Sequence, residues 1–255
     1  MSNATPWLLA HSVWPTVREQ RYEVAVLPWG ATEAHNTHLP YATDTIQSEA
    51  VAARAAELAW GAGARVVVLP AIPFGVNTGQ RDIPFCINLN PSTQAAILAD
   101  IIETVARHGA RKFVVLNGHG GNDFRQMLRE LQPRTSMLLC QAHWYNVVNP
   151  APYFAEPGDH AGELETAVMM HLAESLVRPL SSAGTGAARR FAVRGLRVGW
   201  AWTQREWSRV TDDTGVGNPA AATAEKGARY FTDVTERLGE FLAELAKIEP
   251  EALYE

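Results

Sequence analysis

Three short segments of this chain concentrate imidazole and carboxylate side chains. Residues 28–44, PWGATEAHNTHLPYATD, hold Glu33, His35, His38 and Asp44 without one lysine or arginine to neutralise them. Residues 117–123, NGHGGND, set His119 among glycines, and residues 158–167, GDHAGELETA, offer Asp159, His160, Glu163 and Glu165. With His143, these segments and their flanks take five of the eight histidines. Carboxylate plus imidazole is the ligand set expected for Zn, Mn or Fe. Glu33 and His35 leave an extended backbone on the same face, and a loop can return Asp44 to the same point. Each segment also has a plainer reading. Glu33 could cap backbone amides in a solvated loop, His119 could sit by chance in a tight turn, and acids at a helix N-terminus complement its dipole. The coincidence of three such segments weighs more than any one of them. His38 reads as a hydrogen-bonding neighbour more than as a ligand, and as a further candidate for the substrate pocket.

The glycines around His119 are not a phosphate loop, since both the GxGxxG spacing and the Walker lysine are missing. They permit a sharp turn and the close approach of a ligand, which makes Gly120 and Gly121 candidate pocket residues. On a helix starting near Gly162, Glu163 and Glu165 project about 200° apart, so only one of them can face a site. Trp144 and Tyr145 are candidates to wall a small-molecule pocket, or else core aromatics.

These residues need a scaffold, and the flanking sequence describes one. The runs 22–30, 64–72, 112–118 and 136–144 are compact and rich in Val, Ile and Leu, as expected for strands covered on both faces. Helical patterns follow at 44–61, 91–107, 121–131, 162–176 and 219–246, with Asp44 a candidate N-cap for the first. The alternation predicts a three-layer α/β/α sandwich around a mostly parallel sheet, with residues 1–255 as one domain. In such sheets the functional groups gather beyond the carboxyl ends of the strands, where all three polar segments fall. The stretch 177–218, with Trp200, Trp202 and Trp207, reads as irregular structure or short strands forming a lid or a subunit contact.

Bulk composition agrees. The chain has 255 residues, 47% hydrophobic and 19% charged, with a formal net charge of -5. That balance argues against nucleic acid or an anionic membrane as the main partner, and a small-molecule substrate is expected instead. No signal-peptide pattern or membrane-spanning run is expected, and Cys86 and Cys140, set inside apolar strand-like runs, read as buried reduced thiols of a cytoplasmic protein.

Taken together, the motifs carry a family resemblance. LPWGATEAHNTHLPYATD resembles the creatininase (creatinine amidohydrolase) family pattern Leu-Pro-x-Gly-x-x-Glu-x-His-x-x-His-Leu-Pro, which ends in Thr-Asp. NGHGGN resembles a second family block, DHAGELETA a third, and GVGNPAAATAEKG (215–227) a closing one, with Asn218 where aspartate is usual. The resemblance implies two divalent metal ions per chain (Zn, Mn or Fe). Glu33, Asp44 and His119 would hold one, and His35, Asp44 and an acid of the third block the other. Gly121 stands where creatininase itself has a ligand acid, so Glu165 is the candidate replacement. His160 would handle protons, with Glu165 beside it in the catalytic set. The implied activity is metal-dependent hydrolysis of a non-peptide C–N bond in a cyclic amide or formamide, by a homohexamer. Hydrolysis of a keto-inositol type substrate, or a non-catalytic binding role, are the alternatives. Gly79, Gln80, Phe85 and Cys86 depart from the family pattern, as does the region before His160, so creatinine itself is not the expected substrate.

Overall fold

A computed structural model describes residues 5–254, in which Trp14–Arg18 form a first short helix, α1. Four strands, β1 (Val24–Trp29), β2 (Val66–Val68), β3 (Lys112–Asn117) and β4 (Leu138–His143), form one sheet in the order β2-β1-β3-β4. All the pairings are parallel, in register from Val24 opposite Lys112 to Trp29 opposite Asn117, and on to His143 opposite Asn117. The carboxyl ends of the three longer strands therefore finish level. Because β1 lies between β2 and β3, consecutive crossovers leave it on opposite sides, which opens a crevice at the ends of β1 and β3.

Alternation along each strand separates the two faces. Val24, Val26, Val114 and Leu116 pack with α2 (Thr43–Gly61), α5 (Glu163–Ala173) and α8 (Ala224–Lys247). Ala25, Leu27, Trp29, Phe113 and Val115 pack with α3 (Pro91–Arg107) and α4 (Arg125–Leu131). Both faces are covered, as the near-continuous apolar character of the strands requires, and the expected three-layer α/β/α arrangement is present.

Two local expectations are revised. Asp44 is not the N-cap of α2: the helix begins at Thr43, its N-cap is Ala42, and no side chain caps it. The carboxylate that would have capped is turned toward histidines instead. Cys86 does not lie on a strand but follows a short 3-10 turn (Thr78–Gln80), while Cys140 is on β4; both are free thiols, and both are half-buried rather than buried. The stretch 177–218 holds no strand ladder, only short turns and the helices α6 (Arg194–Arg197) and α7 (Trp207–Val210), joined by isolated bridges such as Ala188 to Thr211. Among the described residues, no helix is long and apolar enough to cross a membrane.

α8 closes the domain. Thr223 caps it by accepting from the Lys226 amide at 3.3 Å, and Tyr230, Val234, Leu238 and Leu242 form its buried stripe. It approaches α5 through Gly227, where an added Cβ would lie 1.9 Å from the Ala167 carbonyl oxygen. Gly227→Ala should therefore lower stability by about 1–3 kcal/mol through overpacking. Urea unfolding of the variant against wild type measures this.

Candidate functional site

The crevice gathers the predicted residues. Glu33 and His35 lie on the loop after β1, Asp44 in the first turn of α2, and His119 on the loop after β3. His160 and Glu165 come from the approach and first turn of α5. Asp44 is central: Oδ1 is 2.9 Å from His35 Nε2, and Oδ2 is 3.1 Å from His119 Nδ1. Glu33 Oε1 is 2.9 Å from His119 Nδ1, 3.6 Å from His160 Nδ1 and 4.0 Å from His35 Nε2. Glu33, His35 and Asp44 are all at most 1% exposed.

The three imidazoles share one orientation rule. His35 turns Nδ1 to the Glu33 carbonyl oxygen at 3.1 Å, His119 turns Nε2 to the Val76 carbonyl at 3.1 Å, and His160 turns Nε2 to the Ala34 carbonyl at 2.8 Å. A carbonyl only accepts, so each of these nitrogens carries a proton and donates. The other nitrogen of every ring then faces the carboxylates. This is how protein scaffolds commonly prepare a histidine for a metal.

Charge balance points the same way. Burial opposes a charge on His35, but Asp44, Glu165 and Glu33 outweigh it and push its pKa up to about 10. Burial likewise opposes the charge on His119, and Glu33 and Asp44 again raise its pKa well above the usual imidazole range. Burial works against the Glu33 carboxylate, yet His119 and His160 hold its pKa below normal; for Asp44, His35 and His119 do the same. Glu165 moves the other way, raised by burial foremost. The cluster thus attracts positive charge strongly. Among the residues lining the cavity the one Lys or Arg side chain, Arg205, is already paired with Asp159 at 2.6 Å.

Divalent cations fit this donor set. Asp44 Oδ2 is buried without a hydrogen-bond donor, and two groups of three ligand atoms, Glu33/Asp44/His119 and His35/Asp44/Glu165, share Asp44. Glu33, His35 and His160 form a third overlapping group. The two acids of α5 differ in their neighbours. Glu163 is buried against Lys226 Nζ at 2.5 Å and accepts from the Glu156 amide at 3.1 Å, on the side away from the cluster. Glu165 accepts from the Ala161 amide and joins His35 and Asp44.

The cluster forms the floor of a cavity of about 400 Å³. Gly120 and Gly121 line it, as expected. Three other pocket assignments are corrected. Trp144 is 1% exposed and belongs to the core beside Tyr230, because the strand end carries it under α8. Tyr145 is not among the residues that line the cavity; it shares a 3.1 Å hydrogen bond with His143, and burial foremost raises its pKa. His38 is buried and bonded through Nε2 to Thr166 Oγ1 at 2.9 Å; burial, aided by the His35 charge, lowers its pKa to about 4. The walls come instead from residues 202–207: Trp202, Thr203, Gln204, Arg205 and Trp207. Trp207 meets the His160 ring edge-on at 5.3 Å between centroids and donates to the Thr214 carbonyl at 2.8 Å. Within 177–218 this is the stretch that faces the cavity, and its tryptophans are the sequence signal for it. Gln80, which donates to Glu33, stands out in the sequence only as a departure from the family pattern.

A parallel α/β sheet with a buried acid-imidazole cluster beyond its strand ends is the arrangement of a metal-binding α/β protein. The chain belongs to the creatininase family, whose model, described as creatinine amidohydrolase, matches residues 10–242. It is 30% identical over 222 residues to the mycofactocin precursor peptide peptidase of Mycobacterium tuberculosis, covering 83% of this chain and 81% of that one. It is 30% identical over 176 residues to the creatinine amidohydrolase of Pseudomonas putida, covering 60% and 66%. A crystal structure from Bacteroides fragilis, provisionally named creatinine amidohydrolase, aligns over 99% of this chain and 100% of its own, with TM-score 0.93 and 45% identity. A manganese creatininase structure shares the fold, with TM-score 0.78 at 23% identity over 95% and 99% of the two chains.

The two acids of α5 should separate by experiment. Glu163→Gln should lower stability in denaturant unfolding while leaving metal stoichiometry intact, because it breaks a buried pair with Lys226. Glu165→Gln should lower the stoichiometry with little effect on unfolding of the metal-free protein.

Proposed function

We propose that this chain is a metal-dependent hydrolase of an amide C–N bond in a small molecule, a cyclic amide or a formamide. The observation that carries the reading is the shared orientation of three imidazoles, each with one N–H on a backbone carbonyl and its other nitrogen toward buried carboxylates. Glu33, Asp44 and His119 would hold one divalent ion and His35, Asp44 and Glu165 a second, with Asp44 common to both. Zn, Mn and Fe all suit this mixture of nitrogen and oxygen donors. When bound, such a pair supplies Lewis acidity and an activated water at neutral pH.

The protein's own residues do the rest. His160 is held by the Ala34 carbonyl at 2.8 Å, which leaves Nδ1 as the atom that moves a proton to the departing nitrogen. Trp207 packs on its ring and fixes its plane. Glu165 keeps one oxygen on the Ala161 amide, so its other oxygen serves the cluster. Trp202 and Trp207 limit water on the cavity's open side, and Gly120 and Gly121 let a planar group approach the floor.

A short peptide is the second reading. It is favoured by the relative named as a peptidase, which matches 83% of this chain, where the creatinine amidohydrolase matches 60%. The proposal also includes a homo-oligomer, a hexamer by family resemblance, for which exposed Trp200 and Phe85 offer apolar surface.

Metal analysis of protein purified without added metal should find two divalent ions per chain. Asp44→Ala should lose both, and retention of two ions by that variant would overturn the shared-ligand assignment. On whichever of cyclic amides, formamides or short peptides is turned over in a substrate panel, His160→Gln should lower kcat by about 10²–10⁴-fold with metal content unchanged. Turnover of peptides alone would replace the first reading with the second.

A further inference from the structure

The two oxygens of Glu33 face different surroundings. Oε1 faces the imidazoles of His119 and His160, whereas Oε2 accepts from the side-chain amide of Gln80. Gln80 is 6% exposed and sits at the end of the Thr78–Gln80 turn. Its amide cannot be reversed, because the carboxylate accepts only and Oε1 of Gln80 already receives the Cys86 thiol at 3.3 Å. The Cys86 sulfur in turn accepts from the backbone amide of Ala34 at 3.2 Å. Ala34 is the residue between Glu33 and His35, so the ring of contacts closes on the segment it started from. The same loop is stitched to that segment by the Ile87 amide, which donates to the Thr32 carbonyl at 3.0 Å.

We propose that Gln80 and Cys86 are positioning residues: they hold the Glu33 carboxylate with one oxygen occupied and the other presented to the cluster. The inference rests on the reading that the cluster binds metal. Without Gln80, a buried carboxylate oxygen loses the one side-chain donor it has among the described residues, and Glu33 is free to rotate about its last bond or to turn both oxygens inward. Cys86 acts one step further out, by orienting the Gln80 amide and by fixing the backbone beneath Glu33. A thiol serves there because it both donates and accepts, and serine preserves both capacities where alanine preserves neither.

The test measures metal affinity by competition with a chromogenic chelator, using Mn²⁺ and Zn²⁺ on the full chain, together with thermal unfolding of the chelator-treated protein. Gln80→Ala should weaken one of the two ions by about 10–100-fold, the range seen when a hydrogen-bond partner of a metal ligand is removed. Cys86→Ala should weaken the same ion by a smaller factor, and Cys86→Ser should restore wild-type affinity. Tyr41→Phe is the control, since it removes a 2.8 Å tie to the Pro84 carbonyl of the same loop without changing the contacts of the Glu33 carboxylate. Gln80→Ala with wild-type affinity for both ions would overturn the inference and leave the metal reading intact. So would an equal loss in Tyr41→Phe, which would mean that general loosening of the loop is responsible. Wild-type protein that binds neither ion overturns both.

Discussion

The structure depends on removing three carboxylates and three imidazoles from water at one point. Each ion costs several kcal/mol to bury even after relaxation, and the cost is recovered only where geometry and additional hydrogen bonds are good. Asp44 shows how narrow the solution is. One oxygen meets His35 at 2.9 Å and the other His119 at 3.1 Å, so the carboxylate links groups that arrive from β1 and β3. Around it, every imidazole is anchored by a backbone carbonyl and cannot swing away to solvent.

The scaffold serves that requirement. Parallel register brings Trp29, Asn117 and His143 level, so the loops after β1 and β3 start side by side. α2 must then bring Asp44 down onto them. Gly118 permits it: a Cβ there would lie 1.9 Å from Ser48 Oγ and 3.0 Å from the Asp44 carbonyl. The same close approach explains why Asp44 could not remain a helix cap. Its side chain is needed on the floor of the crevice, and α2 begins without a side-chain cap.

The pocket above the floor is built differently. Its walls come from residues 202–207 and from the Thr78–Gln80 turn, which meet where Thr78 donates to Gln204 at 3.0 Å. Neither segment has a regular apolar period, and both carry side chains that would be at home on any polar surface. The departures from the family pattern at Gly79 and Gln80 fall at this meeting point, as does the lid-like stretch.

The sequence by itself determined the ligand types, their grouping beyond successive strands, the family and the parallel α/β architecture. Those are local properties: apolar runs of strand length, helix periods, and acids and imidazoles at fixed spacing. It also limited the third block to one inward-facing acid, through the helical angle between Glu163 and Glu165. Only the tertiary structure chose between them, because the partner that claims Glu163 is Lys226, sixty-three positions away. Trp144 went to the core and Trp207 to the site for the same reason. An aromatic ring is apolar in either place, and what decides its role is which distant part of the chain packs against it. Gln80 gave no signal as a glutamine in a loop; it acquires one only when folding sets it against an oxygen of Glu33.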